Sequence, residues 1–243
     1  MVNSALKKDL LELLNLKSVP NLIDGNFVYG DKSIPKFNPT NGEVDYEVSQ
    51  ISKKEYEKVI DLLKNNTHLI ENTNFYERSE IILRASKLIE QNIEILSEIS
   101  SSDSGKTINE SMGEVHGSIK IANYFGTEWM RSQGELLESS LKGKTTKITR
   151  HPLGVAGLIT AFNAPLPNIT WKVFPAIFCG NSVVLKPSEF VPKMAIALGK
   201  ILIDAGLNPK NIAVLNGGGK NAVGEWIVDD SNIDIVSFTG SLK

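Results

Sequence analysis

Asn163, Lys186, Ser188 and Glu189 stand close together in the chain and carry complementary chemistry. A carboxamide donates and accepts hydrogen bonds. An ammonium donates to hydroxyls, and a carboxylate accepts from them. Such a set suits a polar ligand rich in hydroxyls, although on residue type alone Asn163 reads better as a turn residue and Lys186 and Glu189 as surface residues beside a proline turn. Further on, Gly217, Gly218, Gly219 and Gly224 permit close backbone approach to a flat or anionic ligand. A glycine turn at a helix start also offers free N–H groups to phosphate. The spacing departs from G-x-G-x-x-G, so ordinary turn glycines account for it equally well. The one thiol, Cys179, falls at a helix end and is expected to be buried, with a raised pKa and little reactivity. His68, His116 and His151 are scattered and suggest neither a metal site nor a triad. The run Asp103-Ser-Gly105-Lys106-Thr107 resembles a phosphate loop only superficially. Ser100 stands where that motif needs its first glycine, and the preceding segment reads as a helix, not a strand. A helix–helix turn with Gly105 closing the first helix is the better reading.

The elements that must position these groups are legible around them. Residues 155–160 form a short apolar run, read as a buried strand. A loop with Asn163, Pro165 and Pro167 follows, then a helix over 168–179 closed by Gly180. Residues 182–186 are a second apolar strand ending on Lys186 and Pro187. Strand, helix, strand over this length is a parallel crossover unit. In open α/β sheets, ligands bind beyond the carboxyl ends of such strands. Residues 191–205 read as a helix ended by Gly206, 212–215 as a third strand, and 233–238 as a fourth, with a helix opening at the glycine cluster. The alternation predicts an α/β fold with a Rossmann-like, doubly wound parallel sheet.

Ahead of this core, Asp24-Gly25 and Asn41-Gly42 signal two hairpins. Residues 52–131 read as mostly helical. In 75–102, Ile81, Ala85, Leu88, Asn92, Leu96 and Ile99 advance by threes and fours. A second periodic stretch runs through Ile108, Met112, Val115, Ile119, Ala122, Tyr124 and Trp129. The opening residues read as an amphipathic helix packed on the body, because Asp9 and Glu12 interrupt any signal-peptide core. An alternating segment, 145–150, reads as a two-faced strand outside the parallel sheet.

At 151–190 the chain resembles the aldehyde dehydrogenase superfamily. The shared features are Thr160-Ala161-Phe162-Asn163, Pro165, Trp171-Lys172, Gly180-Asn181 and the Val183–Glu189 segment, with Ser237-Phe238-Thr239-Gly240-Ser241 further on. The resemblance implies that Lys186 and Glu189 hold the adenosine ribose of NAD and that Ser188 is also at the cofactor. Glu189 would disfavour the 2′-phosphate of NADP, which stays the alternative cofactor. It implies that Gly219 and Gly224 approach the cofactor and that Thr160, Ala161 and Phe162 line its cleft. Phe238, Thr239, Gly240 and Ser241 would form the turn under the nicotinamide side. Asn163 matches the asparagine that stabilises an oxyanion, and Lys172 a lysine near the proton-transfer path. In the family, a cysteine thiolate attacks the aldehyde, hydride passes to NAD, and a glutamate-activated water hydrolyses the thioester. Where relatives continue Thr-Glu-x-Gly, this chain reads Leu242-Lys243.

The match covers nearly the whole chain but only the front half of a typical member. The expectation is therefore a cofactor-binding half, truncated before the catalytic domain and inactive alone, or one piece of a split enzyme. The divisions expected are residues 1–133 (hairpins and helices of the cofactor-binding domain), 134–151 (a strand arm for homo-oligomer contacts) and 152–243 (the Rossmann-like core). A non-catalytic cofactor-binding or subunit-assembly module is the alternative; a complementary C-terminal half is the other expected partner. With 41% apolar residues a substantial core can form, and a net charge of −2 implies no attraction to nucleic acid or lipid. No apolar run is long enough to span a bilayer. One cysteine excludes a disulfide framework and fits a cytoplasmic location.

Overall fold

The computed structural model describes residues 4–131 and 134–241. The first three residues of the leading segment, the division at 133 and the Leu242-Lys243 pair lie outside them. In chain order the elements are α1 (Ser4–Asn15), β1 (Ser18–Val19), β2 (Asn21–Ile23), β3 (Asn26–Val28), β4 (Lys32–Phe37), β5 (Val44–Gln50), α2 (Lys53–Asn65), α3 (His68–Glu71), α4 (Phe75–Gln91), α5 (Ile93–Ser104) and α6 (Ile108–Gly126). They continue with β6 (Gly134–Glu138), β7 (Thr145–Thr149), β8 (Val155–Ile159), α7 (Pro165–Phe178), β9 (Ser182–Lys186), α8 (Lys193–Asp204), β10 (Ile212–Val214), α9 (Val223–Asp229) and β11 (Ile235–Phe238).

The central sheet has six strands in the order β11-β8-β9-β10-β2-β3. The first four are parallel, as the alternation of strands and helices requires. The hairpin β2–β3, turned at Asp24-Gly25, extends the sheet with antiparallel strands and pairs with β10. β8 and β9 are buried along their whole length, and alternate residues enter different cores. Ala156, Leu158, Val183 and Leu185 pack into a core with α4, α5, α7 and α8. Val155, Ile159 and Val184 face a second core with Tyr56, Val59, Ile60 and Leu63 of α2 and Ile227 of α9. Gly157 is where α9 meets the sheet: a Cβ there would lie 2.5 Å from the Ile227 side chain. Each fully buried Val, Leu or Ile on these faces contributes about 1.5–3 kcal/mol.

Register sets where the parallel strands end. Ile159 of β8 lies opposite both Lys186 of β9 and Phe238 of β11, so the three strands finish level. The pairing runs one residue further, Thr160 N–H donating to the Lys186 carbonyl (3.1 Å) and Thr239 N–H to that of Ile159 (3.0 Å).

Several expectations are corrected. α7 begins at Pro165, not at 168, because prolines at the first and third helical positions lack only N–H groups that have no intrahelical partner anyway. The periodic stretch 75–102 is two helices, broken at Asn92, whose Nδ2 donates to the Leu88 carbonyl (2.8 Å). α8 starts at Lys193 and β11 at Ile235. The strand near 145–150 has a partner, β6, and the two make a separate antiparallel ribbon exposed along β7 and nearly all of β6. The Asp103–Thr107 run is the expected helix–helix turn, with Gly105 left-handed at φ 75°. α1 packs Leu6, Leu10 and Leu13 into the main core as anticipated.

Candidate functional site

A cleft of about 770 Å³ opens beyond the carboxyl ends of β8, β9 and β11. Its wall includes Thr160, Ala161, Phe162 and Asn163 after β8, and Lys186, Ser188 and Glu189 at and after β9. Gly219 and Gly224 border it at the start of α9, and Phe238, Thr239, Gly240 and Ser241 at the end of β11. Four segments far apart in sequence thus meet where the level strand ends put them.

Lys186 is the buried member. Its side chain is 5% exposed, and Nζ donates to the Pro187 carbonyl at 3.0 Å and to Glu189 Oε2 at 3.3 Å. Glu189, 35% exposed, reaches outward from that pair. A surface lysine beside a proline turn would not be sequestered in this way. The Phe162 and Phe190 rings meet edge-on, with centroids 5.7 Å apart, and form an exposed apolar lip. Across the cleft, the Phe238 ring folds over Gly240, where a Cβ would come within 2.5 Å of it.

Asn163 is held at two points. Its side-chain Oδ1 accepts from Asn168 Nδ2 (3.0 Å), and its backbone carbonyl accepts from the Lys106 ammonium. The carboxamide oxygen thus already accepts one hydrogen bond, while the Nδ2 hydrogens have no acceptor among the described residues. Pro165 and Pro167 remove two N–H groups from the α7 N-terminus, so the asparagine side chain is a principal donor at this corner.

The glycine turn differs from expectation. Gly224 N–H donates to the Gly218 carbonyl (3.1 Å), Glu225 N–H to that of Gly219 (2.8 Å), and Asn221 N–H to Glu225 Oε2 (2.6 Å). Those donors are consumed inside the turn and are not free for phosphate. What the glycines supply is closeness. A Cβ on Gly224 would lie 2.9 Å from Gly219 Cα, whereas Gly219 faces open space.

Lys172 is not part of the cleft wall. Its Nζ donates to Ser237 Oγ (2.8 Å), tying α7 to β11, and burial holds its pKa below the ordinary lysine range. Cys179 is exposed, not buried as expected, because it lies past the last turn of α7. Partial burial still pushes its thiol pKa up, against the pull of Arg78 and Arg150. It borders a separate small cavity with Phe75, Tyr124 and Arg150, at the far end of α7 from Asn163. A 14-residue helix puts about 20 Å between those ends.

Sequence reasoning missed Phe190, Lys220, Glu225, Val228 and Asp229 in the cleft wall. The spacing of 225, 228 and 229 on one helical face, directly after the glycines, was an available signal. A second cavity, about 510 Å³, is lined by Lys32, Lys53, Asn221 and Trp226 among others and shares only Lys220 with the first. Among the described residues no group of three or more His, Cys, Asp or Glu could hold a metal ion. No helix among them is long and apolar enough to cross a membrane.

The fold is that of a doubly wound α/β protein with a cleft at the carboxyl ends of parallel strands. The model of the Aldehyde dehydrogenase family matches residues 27–243, and the chain belongs to that family. Betaine aldehyde dehydrogenase of Bacillus subtilis (strain 168) is 32% identical over 225 residues, covering 91% of this chain and 46% of that protein. 2-Aminomuconic semialdehyde dehydrogenase of Mus musculus is 33% identical over 231 residues, 95% of this chain and 47% of that protein. Among solved structures, betaine aldehyde dehydrogenase from Staphylococcus aureus in complex with NAD+ superposes with a TM-score of 0.86 at 28% identity. That match covers 95% of this chain and 46% of the other. The chain spans about half the length of the curated relatives it matches.

Proposed function

We propose that this chain provides the NAD-binding portion of an enzyme that oxidises an aldehyde to a carboxylate. The observation that carries the reading is the convergence of Lys186, Glu189, Asn163, the glycine turn and the β11 turn on one cleft. The donor set fits the cofactor. The Lys186 ammonium and Glu189 carboxylate serve ribose hydroxyls, the open face of Gly219 lets the backbone approach the dinucleotide, and Asn163 offers N–H donors to an oxygen gaining negative charge. NAD, when bound, accepts the hydride. The chain's own residues bind and orient it, and Glu189 repels a phosphate on the adenosine ribose, which favours NAD over NADP.

This chain alone is expected to turn over no aldehyde. Its one thiol stands at the far end of α7 from the cleft, so Cys179→Ser should leave NAD binding unchanged. The aldehyde is assigned only as a class, since relatives named for two different aldehydes are matched at 32% and 33% identity. The compartment we assign is the cytoplasm, on a single cysteine in 243 residues.

Calorimetric titration with NAD tests the reading. Saturable binding that weakens in Lys186→Ala is expected; no binding by the folded chain would contradict it. A ligand that binds only the folded form, present at ~100 times its dissociation constant, also raises stability by about 2.7 kcal/mol.

A second role, subunit association, is favoured by the β6–β7 ribbon. Leu136, Leu137 and Ile148 are 73%, 44% and 44% exposed on it, and an uncovered strand edge with apolar side chains invites pairing. Sedimentation of the wild type against Leu136→Lys would report it, with a shift to smaller species expected.

A further inference from the structure

The Asp103–Thr107 turn takes no part in the cleft wall, yet it is tied down by hydrogen bonds on both sides. Gly105 N–H donates to the Ser101 carbonyl (2.9 Å), and Ser101 Oγ donates to the Lys106 carbonyl (2.7 Å). On the other side Thr107 opens α6 with a reciprocal cap: Thr107 N–H donates to Glu110 Oε2 (3.0 Å) and Glu110 N–H to Thr107 Oγ1 (3.3 Å). A Cβ on Gly105 would meet the Pro39 ring at 2.9 Å, so the turn is also packed from outside. The Lys106 backbone is thus fixed between two helix ends.

From that mount the Lys106 side chain makes two contacts. Its ammonium pairs with Glu114 on α6 and donates to the Asn163 carbonyl on the loop between β8 and α7. The two charged side chains are 26% and 19% exposed, and Glu114 Oε2 is buried without another partner. Lys106 is therefore the main countercharge for a largely buried carboxylate, and its position is set on three sides. Asn163 in turn has its Oδ1 occupied by Asn168. A shift of its backbone carbonyl would carry the carboxamide with it.

We infer that Lys106, paired with Glu114, is a positioning residue for Asn163: it locks the β8–α7 loop so that the carboxamide keeps its N–H groups available to the cleft. The role assigned to Asn163 rests on the NAD–aldehyde reading of the cleft; the mechanical coupling does not. Removing either charge leaves the other uncompensated in a partly buried place, which destabilises the local arrangement. An arginine at 106 can still donate to both the carboxylate and the carbonyl.

The test reads the side-chain amide resonances of the 15N-labelled chain. The Asn163 pair is assigned by its loss in Asn163→Asp. In Lys106→Met, and in Glu114→Gln as an independent variant, the Asn163 and Asn168 pairs should shift by several linewidths. The Asn74 and Asn92 pairs, at helix ends away from Lys106, should stay in place. Lys106→Arg should restore the wild-type positions. An unmoved Asn163 pair in either folded variant would overturn the inference. So would shifts confined to α5 and α6, the mark of a merely local structural role. A wild-type chain that fails to bind NAD would defeat the cofactor reading while leaving this outcome decided by the amide shifts alone.

Discussion

The Lys186 ammonium lies 3.3 Å from Glu189 Oε2, with the lysine almost wholly buried and the glutamate about one-third exposed. The pair is asymmetric, and the asymmetry divides the work. Lys186 is anchored through the Pro187 carbonyl at the end of a buried strand, and Glu189 presents its charge to whatever enters the cleft.

That arrangement predicts cofactor selectivity. Glu189→Gln should leave NAD binding within a few-fold of wild type and improve NADP binding about tenfold or more. Two like charges about 4 Å apart repel by roughly 1–4 kcal/mol between water and a protein surface, so one carboxylate is sufficient to set the preference. Parallel titrations with both dinucleotides measure it; an unchanged NAD/NADP ratio would remove Glu189 from the selectivity argument.

The two glycines of the turn should respond differently to the same change. In Gly224→Ala the added methyl meets the Gly219 backbone at 2.9–3.0 Å, and overpacking of this kind costs about 1–3 kcal/mol. In Gly219→Ala the methyl enters open space at the cleft wall, so stability should hold while NAD affinity falls. Denaturant unfolding alongside NAD titration separates the two effects.

Asp103 gives a pH dependence of known sign. Burial lifts its carboxyl from 3.8 to about 6, against the pull of Lys193 on α8 and Lys36 on β4, and beside the Tyr46 hydroxyl of β5 and the Asp45 carboxylate, which salt-bridges Lys36. The folded state then holds the proton more tightly than the unfolded chain. The resulting stability is complete below about pH 4 and is lost as pH rises through 6. Asp103→Asn removes this contribution. The difference in unfolding free energy between wild type and variant should fall across that window by on the order of 3 kcal/mol and level off above pH 7. A flat difference would mean that burial does not govern this carboxyl.

How much of this was legible in sequence varies by element. β8 and β9 are continuous apolar runs bounded by glycine and proline, and their bounds came within one residue of the structure. Because register then aligns their ends, Asn163, Lys186, Ser188 and Glu189 meet at one cleft with Gly219 and Gly224, whereas Gly217 and Gly218 border the second cavity. The contact of Lys172 on α7 with Ser237 on β11 joins residues 65 apart in the chain, beyond the reach of any local pattern. The start of α7 was hidden by prolines that look like loop residues but suit a first helical turn. Cys179 was misplaced because periodicity describes the body of a helix and not the exposure of its last residue. The pairing of β2 with β10, and the reach of Lys106 to Asn163, are long-range contacts that no local pattern encodes.

The central claim is that the cleft at the ends of β8, β9 and β11 receives NAD. The most direct measurement is the map of backbone amide shifts on titrating the 15N-labelled chain with NAD. Saturable shifts clustered at Ala161, Asn163, Ser188, Gly219 and Gly240, and absent from Lys186→Ala at the same concentration, are predicted. Shifts centred on Lys53, Asn221 and Trp226 of the second cavity, or none in a folded chain, would contradict the assignment.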